Sequence, residues 1–183
     1  MRRWAIAVAV VLAGCGGGGG ARPHATTPMP STRAGAPTDE QVRSALHLPS
    51  QVPLRAHGRA PAAYVRVVRA WLDELRAGHV AAAARLFALP SRFQNFNQLA
   101  LIHTRAQAYA VTASLPCGAR MTQVGGADGY VVYEARLTDR PGGGCGSGTG
   151  GVVRGAVLVR GGHMVEWYRL PDAAAPQPQG TAA

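Results

Sequence analysis

Side chains able to do acid–base or nucleophilic chemistry are scarce in this chain. Of 183 residues only nine are Asp or Glu, against 19 Lys plus Arg, and every one of those cations is arginine. Within the stretch that reads as folded, the acids are Asp73, Glu74, Asp128, Glu134, Asp139 and Glu166. Asp128 and Asp139 fall at turns, where a carboxylate commonly bonds to backbone. Asp73 and Glu74 fall on the polar side of a helical pattern. Glu134 and Glu166 remain as candidates for a general base, with His103 or Tyr109 as the partner group. A plainer reading stands beside this one: Glu134 forms a surface ion pair with Arg136 or, across the sheet, with Arg154.

Other chemistries lack their residues. His57, His79 and His163 do not have the spacing of a metal site. There is no Gly-x-Ser-x-Gly, phosphate loop or dinucleotide fingerprint, and the glycine run 142–144 has neither a following helix nor a lysine. No cofactor is therefore expected. Trp71, Phe87, Tyr109, Tyr133 and Trp167 could line an apolar pocket for a small apolar ligand, or serve simply as core. The formal charge of +10 raises the question of nucleic acid. The arginines are scattered and no recognition motif accompanies them, so no nucleic-acid partner is expected.

Three cysteines carry more information. Arg2 and Arg3 precede a short apolar run, residues 4–13, which is too short to span a bilayer. Leu12-Ala13-Gly14-Cys15 then resembles a bacterial lipobox, in which the cysteine accepts diacylglycerol and becomes the new N-terminus. Residues 1–15 thus read as a lipoprotein signal peptide, with Cys15 the lipidation site. The acyl chains supply the membrane anchor, each buried methylene contributing about 0.8 kcal/mol. That places the protein on the extracytoplasmic face of the cell membrane. Lipidation of Cys15 leaves Cys117 and Cys145 as a disulfide pair in an oxidising compartment.

The elements follow from composition and period. Residues 16–36 are rich in Gly, Pro, Ser and Thr and read as a flexible spacer. Thr38 and Gln41 have capping-box spacing for a short helix through Ala45. Residues 47–61 read as loop, so 16–60 is assigned as tether and loop. Tyr64, Val68, Trp71 and Leu75 recur at helical spacing and Gly78 stops that helix. A second, alanine-rich helix covers 80–88, ended by Pro90. Residues 91–100 read as a loop with at most one short strand. Thr104 and Gln107 start a third helix, with Ala108, Val111 and Leu115 as its apolar stripe. Four antiparallel strands close the domain, at 119–124, 130–138, 152–160 and 163–170, with Gly161-Gly162 as a hairpin turn. Residues 61–171 are the folded domain and 172–183 a proline- and alanine-rich tail that is expected to be disordered.

This order of helical hairpin, third helix and antiparallel meander resembles the nuclear-transport-factor-2-like superfamily, which includes SnoaL-like proteins. The carriers are Trp71-Leu72 through Leu75 and Gly78, the run 82–87, and Gly161-Gly162-His163-Met164-Val165-Glu166-Trp167. His79 stands where family members frequently have Asp. The resemblance implies an α+β cone, three N-terminal helices packed in a bent antiparallel sheet, and it makes a homodimer a possible assembly. The whole is also similar to small secreted actinobacterial lipoproteins of this fold, for which no activity is settled. The functional expectation is a lipid-anchored binding or interaction module without catalytic activity, its partner a small apolar ligand or an envelope protein. The alternative is a small hydrolase or isomerase acting on an apolar metabolite.

Overall fold

The computed structural model describes residues 37–172. The expected signal peptide, Cys15, the spacer 16–36 and the tail 173–183 lie outside the described residues. Four helices, α1 (Asp39–Leu46), α2 (Ala62–Arg76), α3 (Val80–Arg85) and α4 (Arg105–Ala113), accompany six strands. These are β1 (Phe87–Asn95), β2 (Gln98–Ile102), β3 (Gly118–Ala127), β4 (Tyr130–Thr138), β5 (Val152–Arg160) and β6 (His163–Leu170). They form one sheet in the order β2-β1-β6-β5-β4-β3. All neighbours are antiparallel except β1 and β6, which run parallel.

This corrects the expected architecture in two respects. The helices do not all precede the sheet, because β1 and β2 lie between α3 and α4. Nor is the sheet wholly antiparallel or four-stranded. The second helix stops at Arg85 rather than Ala88 because Phe87 is captured by β6: Leu86 O accepts the Met164 N–H at 2.8 Å, and Phe87 pairs with Met164. The stretch expected to be a loop is instead the β1–β2 hairpin. Ser91 and Phe93 point inward and are buried, while the outward Gln94 is also buried because its amide donates to Leu46 O at 2.5 Å and Phe96 O at 3.1 Å.

Both capping boxes form as their spacing requires. Thr38 Oγ1 accepts from Gln41 N at 3.2 Å while the Gln41 side chain takes the Thr38 N–H at 2.8 Å. Thr104 and Gln107 repeat the arrangement at the start of α4. Each box satisfies donors that a helix start otherwise leaves orphaned.

β4 and β5 are apolar on alternate residues in both phases because both faces of the sheet are covered. On the inner face Val131, Tyr133, Ala135, Val153, Val157 and Val159 pack against Val68, Trp71, Leu72 and Leu75 of α2. On the outer face Tyr130, Val132, Ala156, Tyr168 and Leu170 pack against Leu48, Val52 and Leu54. The packed region therefore begins well ahead of Pro61. Arg43 of α1 ties this outer cover together by donating to the carbonyl oxygens of Pro49 and Val52. A bulge in β6 re-aims the last strand: Val159 pairs with Met164 but Leu158 with Glu166. One extra residue turns Met164 inward beside Trp167, and Glu166 outward.

Cys117 and Cys145 are bonded, closing a loop over a sequence separation of 28. By chain entropy such a loop contributes about 3–4 kcal/mol. Gly155 has a different task. A Cβ at residue 155 would lie 2.7 Å from the Tyr133 ring, so only glycine lets that ring lie across β5. Gly155→Ala is expected to displace Tyr133 and lower the unfolding free energy by about 1–3 kcal/mol in urea titration. An unchanged midpoint would contradict this packing.

Candidate functional site

Four of the five aromatic residues singled out as possible pocket lining do meet, with Phe93 as an unexpected fifth member. Trp71, Phe87, Phe93, Tyr133 and Trp167 are all buried on the inner face. Phe93 stacks on Trp167, ring centroids 4.5 Å apart and planes 11° from parallel. Trp71 lies 5.7 Å from Trp167 and edge-on to Phe87 at 6.2 Å. Trp167 Nε1–H donates to the Tyr133 hydroxyl at 3.0 Å. Each aromatic pair of this kind adds about 0.5–1.5 kcal/mol beyond its buried area. These rings fill one another's space and line none of the three surface recesses described below apart from the edge of Tyr133. Tyr109 is elsewhere: it is half exposed, off the buried side of α4 formed by Ala108 and Thr112.

The two candidate bases lie on the other face of the sheet. Glu134 accepts weakly from Thr122 Oγ1 at 3.4 Å and pairs by register with Arg154. The Arg154 guanidinium is instead committed to Leu54 O at 2.7 Å and Pro171 O at 3.3 Å. Glu166 accepts the Tyr130 hydroxyl at 2.6 Å, amid the outer cluster of Tyr130 and Tyr168. His103 is exposed just ahead of α4 and its backbone N–H bonds to Gln107. The sheet therefore separates both carboxylates from Tyr109, and no base–partner pair of the expected kind assembles. Among the described residues no three His, Cys, Asp or Glu side chains gather as a metal site. Nor, among them, is any helix long and apolar enough to cross a membrane.

Among the described residues, three surface recesses bear on function. A groove of about 680 Å³ runs along the outer face between α1 and β3–β4, floored by Val42, Leu54 and Val132. Its Asp39 and Arg55 already pair with each other at 3.3 Å. A recess of about 370 Å³ holds Asp128, Tyr130, Arg160 and Glu166. The third, about 610 Å³, lies between α3, α4 and the disulfide-bound loop, with His79, Arg85, Tyr109 and Arg140 around it. Of the lining residues Tyr109 and Tyr133 stood out by sequence as pocket residues; of the candidate bases, Glu134 lines the first groove beside Arg154 and Glu166 lines the second, both on the outer side of the sheet. Glu74 and His79 are five apart and bond at 2.9 Å across the turn at Gly78, a geometry that helical spacing does not announce.

A further feature is the sheet edge at β2; the opposite edge, β3, is met by a bridge between Gly58 and Gly126. β2 pairs with β1 on one side only, and Leu99 and Leu101 on it are 57% and 52% exposed. Phe96, in the turn before it, is also exposed beneath the Arg169 guanidinium, 5.1 Å from the ring centroid.

No protein-family model matches the chain, and no curated protein matches it. Among solved structures it is similar to a protein with a ketosteroid isomerase-like fold from Catenulispora acidiphila, solved with trimethylamine. Identity there is 19%, over 61% of this chain and 86% of that one, with a TM-score of 0.46. A nuclear-transport-factor-2-like protein of unknown function from Cytophaga hutchinsonii is 8% identical over 62% of this chain and 91% of that one, TM-score 0.47. An epoxide hydrolase from M. tuberculosis is 15% identical over 59% and 81%, TM-score 0.44. These likenesses concern the fold alone.

Burial has a titratable consequence. It pushes the Tyr133 hydroxyl up to about 12, against the opposing pull of its bond from Trp167. Burial, reinforced by the Glu166 charge, pushes Tyr168 up to about 12 as well. Burial and then the bond to Glu166 hold Tyr130 well above the ordinary phenol range. Unfolded tyrosines ionise near pH 10 while these stay protonated, so the folded state binds more protons above that pH. Stability is therefore full below about pH 10 and falls as pH rises towards 12. Urea midpoints measured from pH 8 to 12 should show this decline, smaller in Tyr133→Phe; a flat profile would contradict it.

Proposed function

We propose that this protein is a non-catalytic interaction module, held at the outer face of the cytoplasmic membrane by a lipid on Cys15 and spaced from it by residues 16–36. Its partner is an envelope protein that engages the β2 edge. The observation that carries this reading is the side of the sheet on which the carboxylates stand. A hydrolase or isomerase working inside the cone needs a base there, whereas Glu134 and Glu166 lie behind the sheet and aromatic rings occupy the inside.

The β2 edge supports the choice of surface. A bare strand edge offers unpaired N–H and C=O groups, and proteins normally blunt such edges with charge or proline. This one carries Gln98, Leu99, Ala100, Leu101 and Ile102 and no charge. Leu99 and Leu101 share one face, next to Phe96, and form an apolar strip that a docking chain could cover.

Photocrosslinking in living cells tests both parts. With a photoreactive amino acid at Gln98, an adduct is expected in the wild type and in E134Q/E166Q. It should vanish in L99K/L101K, and Cys15→Ser should release the protein from the membrane fraction. An adduct that survives L99K/L101K would overturn the proposed surface. Loss of the adduct in E134Q/E166Q would overturn the reading that neither carboxylate is needed.

A further inference from the structure

The recess between α3, α4 and the disulfide-bound loop stands apart from the sheet edge and has walls held firmly in place. Gly78 sits at φ +81, and a Cβ there would lie 2.9 Å from the Cβ of Pro141, so the α2–α3 turn and the loop are in close contact. Arg140 ties the loop to the end of α4. Its Nε donates to Leu115 O at 3.0 Å, its Nη2 to Ala113 O at 3.1 Å and Leu115 O at 2.7 Å, and its Nη1 to Pro141 O at 3.3 Å.

That arginine is 7% exposed and none of its partners is a carboxylate. A helix C-terminus offers only about half a negative charge, so the buried guanidinium keeps an uncompensated positive charge beside the recess. His79, Ala82 and Arg85 follow at three-residue steps and share one face of α3. Arg85 is exposed, and among the described residues its guanidinium makes no hydrogen bond or ion pair. The Tyr109 hydroxyl likewise has no partner among them. Two acids stand close in the chain to these groups, and both are engaged elsewhere: Glu74 is bonded to His79 Nδ1, and Asp139 accepts the Thr149 hydroxyl at 3.0 Å. Between these groups the surface is short and apolar, made by Val80, Ala82, Ala113 and Pro141. A volume of about 610 Å³ is in the range of small-molecule sites.

We infer that this recess binds a small organic carboxylate with a short aliphatic body. The carboxylate meets the Arg85 guanidinium and the Tyr109 hydroxyl, with the Arg140 charge behind it, and the aliphatic part lies on the alanine and valine surface. A hydrogen bond to a charged group of this kind accounts for about tenfold in affinity or more.

Hexanoate and its neutral amide, hexanamide, are suitable probes, added to the full oxidised chain and followed by amide NMR shifts. Hexanoate is expected to shift Ala81, Ala82, Tyr109 and Ala113 saturably at millimolar concentration, and hexanamide is not. Arg85→Gln should weaken hexanoate about tenfold while leaving the remaining spectrum in place, and Tyr109→Phe should weaken it by a smaller factor. Shifts that never saturate, equal shifts from hexanamide, or undiminished binding to Arg85→Gln would each overturn the site. L99K/L101K should bind hexanoate normally, so failure at the strand edge and failure at this recess are distinguishable.

Discussion

Two-sided burial of the three central strands is the constraint on which the rest of this structure depends. Strands β4, β5 and β6 are apolar in both phases, so the sheet is stable only when each face has its own cover. Helix α2 and the aromatic rings cover one face. Residues 48–54 cover the other, held there by guanidinium and amide bonds from Arg43, Gln94 and Arg154 to backbone carbonyls. Such bonds cost little entropy on the carbonyl side and remove buried polar groups that would otherwise be orphaned. The register of β4 and the bulge in β6 then decide where Glu134 and Glu166 stand, on the outer face beside that cover.

An alanine-, glycine- and arginine-rich chain has little bulk with which to fill a core. The structure concentrates what bulk it has. Trp71, Phe87, Phe93 and Trp167 supply the inner face, and the small residues let elements approach: Ala83, Ala84 and Ala108 bring α3 and α4 together, and Gly155 admits the Tyr133 ring. The loop after β4 carries little bulk beyond Arg140 and Pro141, and its order comes from the Cys117–Cys145 bond and the Arg140 bonds to the end of α4. Arginine here does the work of a helix cap as well as that of a surface charge.

What was legible in the sequence was local. Capping boxes at Thr38 and Thr104, the helical face through Trp71 and Leu75, the Gly161-Gly162 turn and the disulfide all follow from spacing within one element or from counting cysteines. What was not legible depended on distant partners. The β1–β2 hairpin looks like a loop because Gln94 and Asn95 are polar, and the partner of Gln94 lies 48 residues away at Leu46. Leu48, Val52 and Leu54 show no period because they follow the outer surface of the sheet rather than a helix or strand of their own. Met164 faces inward only because a bulge shifts the register. The position of Tyr109 was available, since the expected stripe of Ala108, Val111 and Leu115 leaves Tyr109 off it; in the structure α4 ends at Ala113, its buried residues are Ala108 and Thr112, and Val111 and Leu115 are partly buried.

The most direct test of a filled inner face is hydrogen exchange at the indole N–H groups of Trp71 and Trp167, followed by NMR in the full chain. Both rings are almost wholly buried, at 1% and 4% exposure. Exchange should therefore proceed only through global unfolding, with protection matching the unfolding free energy measured in denaturant. Rapid exchange of either group from the native state would mean a water-accessible cavity behind the sheet, and would contradict the account.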